Sequence, residues 1–189
     1  MGRVEEMVLI GGHPAVDFVN TLGGLPGVAD DEYLHGGRDF LVWSHRVGLI
    51  ARPPSRRAAD DDDVHRAALV FRAALDRILR ARLRRRPADQ AARETVREFY
   101  REAVDQSSLH WDGARYRLVW RRSGARRPLA RLAAAAVELI TGDELDRLAQ
   151  CGRCRWLFID LSRSHTRRWC TMNSCGAITK MRRYRRSAD

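Results

Sequence analysis

The sequence predicts an α+β chain: a mainly helical body with short β-hairpins over residues 1–150, then a small cysteine-rich module over 151–189. Three observations predict it. Two long segments, Asp60 to Arg86 and Ala88 to Gln106, repeat apolar residues with a helical period. An Asp112-Gly113 turn signal lies between Leu109-His110-Trp111 and Arg115 to Arg121, which alternate polar and apolar residues. All four cysteines lie at or beyond Cys151.

The chain has 189 residues, 44% of them hydrophobic, enough for one domain with a small appendage. Its most apolar run, Leu129 to Ile140, is interrupted by Arg131 and Glu138 and is too short to span a bilayer. The opening MGRVEEMVLIGGHPAVD carries two early glutamates and only a short apolar stretch, so it does not read as a secretory signal, and the expected location is the cytoplasm.

Residues 1–22 read as a short strand region followed by a turn, with Val8, Leu9 and Ile10 running into Gly11-Gly12. Residues 23–37 hold five glycines and Pro26 and read as a loop. Asp39 to Ile50 places Phe40, Trp43, Val47 and Ile50 on one helical face, and Arg52-Pro53-Pro54 ends it. Asp60 to Arg86 opens on four aspartates, which suit a helix N-terminus, and closes on Arg84 to Arg86 before Pro87. Ala88 to Gln106 pairs with it as a helical hairpin. Leu129 to Ile140, apolar nearly all round, reads as a buried helix that Gly142 breaks. A short helix from Asp143 to Ala149 delivers the chain to Cys151.

Charge is uneven along the chain. Residues 151–189 hold nine arginines and Lys180 against Asp160 and Asp189, which is 10 − 2 = +8 of the total +11. A basic module on a nearly neutral body points to a polyanionic partner, with duplex DNA the first candidate. Arg163, Arg167, Arg168, Lys180, Arg182 and Arg183, interleaved with Ser and Thr, are the candidate phosphate contacts. Trp156 and Trp169 are expected to pack around the module.

The cysteines are spaced Cys151-x2-Cys154, fifteen residues, Cys170-x4-Cys175. Two close pairs joined by a loop supply the four soft ligands of a tetrahedral zinc site. The glycine of Cys151-Gly-Arg-Cys154 suits a tight knuckle, Trp156 to Asp160 reads as a short strand, and Lys180 to Arg186 as the end of a helix starting near Cys170. Knuckle, hairpin and helix are the parts of a treble-clef-like zinc finger. Two disulfides would need an oxidising compartment, which nothing here indicates. A redox Cys-x2-Cys leaves the second pair unexplained, and His165 as a ligand is superfluous beside four cysteines.

The segment from Cys151-Gly-Arg-Cys through Asp160-Leu-Ser-Arg-Ser-His-Thr-Arg-Arg-Trp-Cys170 to Cys175-Gly176 resembles the CGNR-type zinc finger of bacterial regulators. Gly11-Gly12 through Asp17-Phe18-Val19-Asn20-Thr21, and Arg127-Pro128-Leu129 through Leu148, resemble the ABATE domain that precedes that finger. The resemblance implies a stress-responsive transcription regulator with one structural Zn2+ on Cys151, Cys154, Cys170 and Cys175. One departure stands out. The name-giving Cys-Gly-Asn-Arg reads Cys175-Gly176-Ala177-Ile178, a loss that bears on DNA binding more than on zinc.

His13, Asp17 and Asn20 gather polar groups near the N-terminus and are candidate ligand contacts; equally, they can cap turns or helices. His35, His45, His65 and His110 have no paired spacing. With no phosphate-binding glycine loop, nucleophile elbow or catalytic pair, the reading leans away from an enzyme. Its first form is a DNA-binding regulator whose body senses a small-molecule effector, with a homodimer among its partners and no membrane. The alternative is an enzyme or small-molecule-binding protein whose finger is purely structural.

Overall fold

The computed structural model describes residues 2–25, 31–52, 62–120 and 126–186, with the side chains of Arg183 and Arg186 outside that description. Asp60 and Asp61 of the aspartate run, Pro53-Pro54 and Arg121 also lie outside it. The body is helical: α1 (Pro14–Val19), α2 (Gly37–Arg46), α3 (Asp62–Leu83), α4 (Gln90–Asp105) and α5 (Arg127–Thr141). Two antiparallel two-stranded sheets accompany them, β1 (Ser107–Trp111) with β2 (Tyr116–Trp120), and β3 (Leu148–Gln150) with β4 (Leu157–Ile159). A 3-10 turn (Asp143–Arg147) leads into β3, and a π-type turn (Met172–Gly176) leads into α6 (Ala177–Arg186).

The N-terminal segment differs from expectation. Ala15 to Val19 form a helix, not an extended run. Pro14 starts it, where its missing N–H costs nothing, and His13 caps it by accepting from the Ala15 amide at 3.1 Å. Every residue from Ala15 to Val19 is buried, so no polar face marks the period. The segment expected to be helical up to Ala149 becomes a strand at Leu148, whose partner is Ile159.

The long helices follow their apolar stripes. Val64, Ala68, Phe71, Leu75 and Leu79 of α3 are buried, as are Ala92, Val96 and Ala103 of α4, and Asp89 caps α4 through the Ala92 amide at 3.0 Å. α4 packs against both α3 and α5. At the centre, the Phe18 ring meets Phe40, Trp43 and Phe71 at centroid distances of 5.9, 5.1 and 6.1 Å. The β1–β2 hairpin aligns Leu109 with Leu118 and Trp111 with Tyr116, all four exposed.

The core does not stop at the end of the body. Leu157 and Ile159 of β4 belong to the same apolar cluster as Phe18, Phe71 and Leu132. The Ile159 amide donates to the Gly11 carbonyl at 2.8 Å. The strand that follows the first cysteine pair is thus wedged against α1, and the cysteine module is held by the body's own core.

Candidate metal centre and basic surface

The knuckle is the turn of the β3–β4 hairpin. Cys151 follows β3 directly, its amide donates to the Trp156 carbonyl at 2.9 Å, and β4 begins at Leu157. The second pair brackets the entry to α6. Thr171 caps the π-type turn through the Ser174 amide at 3.3 Å, and Thr179 donates its hydroxyl to the Cys175 carbonyl at 2.7 Å.

These turns bring the four Sγ atoms of Cys151, Cys154, Cys170 and Cys175 within 4.8 Å of one another, all buried. A tetrahedral site with Zn–S bonds of about 2.3 Å requires Sγ–Sγ separations of about 3.8 Å. Cys154 and Cys170 are 3.7 Å apart. Without a cation, the Cys170 thiol's hydrogen bond draws the Cys154 thiol down to about 5, the same bond pushes Cys170 up, and burial pushes Cys175 up to about 11. Four thiolates so close need a dication between them. The donor set and its spacing fit one structural zinc ion, as the sequence spacing predicts.

The knuckle glycine has a different reason from the one expected. The Gly152 amide donates to the Arg168 carbonyl at 2.9 Å, and a Cβ here would meet the Trp169 ring at 2.8 Å. Trp169 therefore lies flush on Gly152, and Trp156 and Trp169 both pack against the cysteine cluster. His165 is no ligand; its Nδ1 lies 3.3 Å from the Asp160 carbonyl.

The candidate cations are not equivalent. Arg163, Arg168, Lys180 and Arg182 are exposed. Arg168 sits 5.6 Å from the Trp169 ring centroid. Arg167 turns inward: it donates from Nε to the Trp169 carbonyl at 3.1 Å and from Nη2 to the Cys170 and Ile10 carbonyls, and it lies 4.1 Å over Phe158. It braces the second cysteine pair against the body. Arg183 lies in α6, with its side chain outside the described residues. Ala177 and Ile178 begin α6 and face solvent.

Asp160 is the one acidic residue of 151–189 among the described residues, and it is buried at 5% exposure. It accepts from the amides of Ser162 and Arg167 at 2.9 Å each. The Ser162 hydroxyl and these amides hold its carboxyl below the usual range. Its charge is consumed inside the loop, and Arg163, Arg168, Lys180 and Arg182 have no ion pair among the described residues.

The three polar residues near the N-terminus are engaged with backbone. His13 caps α1, which requires a neutral ring, and burial lowers its pKa accordingly. Asp17 accepts from the amides of Ile10 at 3.0 Å and Gly11 at 2.7 Å, and burial raises its carboxyl to about 6. Asn20 bonds both backbone groups of Leu157. The neighbouring Thr21 hydroxyl receives a 2.8 Å bond from Arg72, which also binds Glu32. Sequence reasoning missed Arg72 and Glu32; their partners lie 40 positions apart and no local pattern joins them.

No helix among the described residues is long and apolar enough to cross a membrane. No curated protein matches the chain. Residues 147–188 match the CGNR zinc finger, and residues 12–143 match ABATE, described as "Putative stress-induced transcription regulator". With more than half of its length in that match, the chain belongs to the ABATE family and carries a C-terminal CGNR zinc finger.

Proposed function

We propose that this protein is a transcription regulator whose zinc finger binds duplex DNA through the phosphate backbone. The observation that carries the reading is the uncompensated positive surface around the cysteine cluster: Arg163, Arg168, Lys180 and Arg182 face solvent while Asp160 is satisfied internally. A depression of about 530 Å3 in the finger is lined by Ser162, Ser164, Thr166, Arg168 and Thr171. Hydroxyl and guanidinium donors on one surface match phosphate oxygens. Zinc holds this surface in shape, and Arg167 positions the loop that carries it.

The test is binding of the zinc-loaded full chain to a labelled random duplex in low salt, beside a variant with Arg163, Arg168, Lys180 and Arg182 all changed to Ala. The wild type binds, and the variant loses at least a hundredfold in affinity, since each phosphate contact carries a counterion-release term. Equal affinity of the two proteins would refute the assignment of this surface.

A further inference from the structure

The C-terminal part of α3 and the turn that follows it carry six arginines, Arg77, Arg80, Arg82, Arg84, Arg85 and Arg86, and they divide in two. Arg77 pairs with Asp89, Arg80 with Asp76 at 2.8 Å, and Arg82 with Asp146 at 2.7 Å. Arg84, Arg85 and Arg86 are exposed, and their guanidinium groups have no ion pair or hydrogen bond to any described residue. Three neutralised charges are followed by three that are not.

The backbone here makes the second group harder to dismiss as ordinary helix-end charge. The Arg86 amide donates to the Ala81 carbonyl at 3.1 Å and the Arg85 amide to the Arg82 carbonyl at 2.9 Å, the paired bonds of a Schellman closure. The residue at its left-handed position is Arg85, with φ of 51°. Glycine is the favoured residue there, because a Cβ crowds the following carbonyl. Arg85 holds that unfavourable conformation without any internal contact in return.

The position of this turn supplies a use for the charge. One helical turn before Arg84, the Arg80 guanidinium donates to Gln150 Oε1 at 3.2 Å and to the Arg155 carbonyl at 3.0 Å. The arginine face of α3 therefore runs up against the zinc knuckle. Within the knuckle, the Gly152 amide donates to the Arg168 carbonyl. The C-terminal end of α3, through Arg80, and the backbone of Arg168 thus both adjoin the same short loop. Arg84 and Arg86 also line a depression of about 400 Å3 together with Arg77 and Arg80, whose partners Asp89 and Asp76 complete its polar wall.

We propose that Arg84, Arg85 and Arg86 form a second phosphate-contact patch, carried by the body, that extends the finger's duplex-DNA surface across the zinc knuckle. The proposal rests on the DNA-binding reading above. It makes the interface bipartite, with one part on the finger and one on the body.

The experiment compares wild type, Arg85→Gly alone, and Arg84→Ala/Arg85→Gly/Arg86→Ala, each as zinc-loaded full chain, for thermal melting and for affinity to a random duplex at about 0.1 M salt. Relief of the left-handed arginine keeps the melting midpoint of Arg85→Gly at or above that of wild type, by up to about 2–4 °C. The triple variant binds duplex at least about tenfold more weakly, as loss of phosphate contacts demands. Wild-type affinity in the triple variant, with wild-type protein binding normally, overturns the patch and leaves the finger reading standing. Failure of the wild type to bind any duplex overturns both.

Discussion

Asn20 and Leu157 lie 137 positions apart and are joined by two hydrogen bonds of 2.8 Å, the Asn20 carboxamide donating to the Leu157 carbonyl and accepting from its amide. The side chain acts as one residue of a missing strand. It satisfies the Leu157 backbone groups at the position where β4 pairs with Gln150 of β3, and the site is buried: Asn20 is 1% exposed and Leu157 is fully buried. The residue that ends α1 thereby holds the first strand after the zinc knuckle.

Asn20→Ala removes both bonds and leaves the Leu157 N–H and C=O buried without partners. The expected cost is about 2–4 kcal/mol in unfolding free energy, since an orphaned buried group loses its full desolvation penalty. Denaturant unfolding of the zinc-loaded protein measures it. A loss below about 0.5 kcal/mol would mean that β4 does not depend on α1.

Zinc should stabilise more than the finger. Leu157 and Ile159 each contribute about 1.5–3 kcal/mol of apolar burial to the shared core, a sizeable part of a typical domain's 5–15 kcal/mol. Cys170→Ser is therefore expected to abolish bound zinc, measured by elemental analysis, and to lower the melting midpoint of the helical signal. An unchanged helical melt after loss of the metal would show that β4 stays docked without it.

Asp17 makes stability depend on pH. Its folded carboxyl is raised to about 6 by burial, above the ordinary value of 3.8. The native state therefore holds a proton that the unfolded chain releases, and stability falls as pH rises from about 4 to about 6. Asp17→Asn keeps an acceptor for the Ile10 and Gly11 amides without the charge. Relative to wild type it should gain about 3 kcal/mol on going from pH 4 to pH 7, the worth of about two pKa units. Parallel stability–pH curves for the two proteins would contradict this.

Ala177 and Ile178, exposed at the start of α6, stand where the finger's name-giving motif has Asn and Arg. Ala177→Asn with Ile178→Arg is expected to sharpen sequence preference, read as enrichment from a random duplex pool, and to add about one contact's worth of salt dependence. No gain in either would show that α6 does not approach DNA by its first turn.

The zinc ligands were legible because ligand chemistry restricts both residue type and spacing, and Cys151, Cys154, Cys170 and Cys175 satisfy both. The long helices were legible because α3 and α4 each have a polar side to contrast with Val64, Phe71 or Val96. α1 was not, since five consecutive buried residues carry no period. Asn20 looked like a ligand contact because its partner is a backbone group that no sequence pattern announces. Arg167 looked equivalent to Arg168; only the fold separates the one turned toward Cys170 and Phe158 from the one at the surface. Arg84 to Arg86 read as helix-end charge until the pairing of Arg77, Arg80 and Arg82 distinguished them.

The central claim is that a zinc-held basic surface grips DNA by its phosphates, and the slope of log affinity against log salt for the wild-type, zinc-loaded chain on random duplex tests it most directly. Each neutralised phosphate contributes about −0.9 to that slope. Arg163, Arg168, Lys180, Arg182 and Arg183 as five contacts give about −4.5, and the patch at Arg84 to Arg86 steepens it further. A slope of −4 or steeper, lost when zinc is removed, is the predicted result. No binding at low salt, or binding with a slope near zero, would contradict the account.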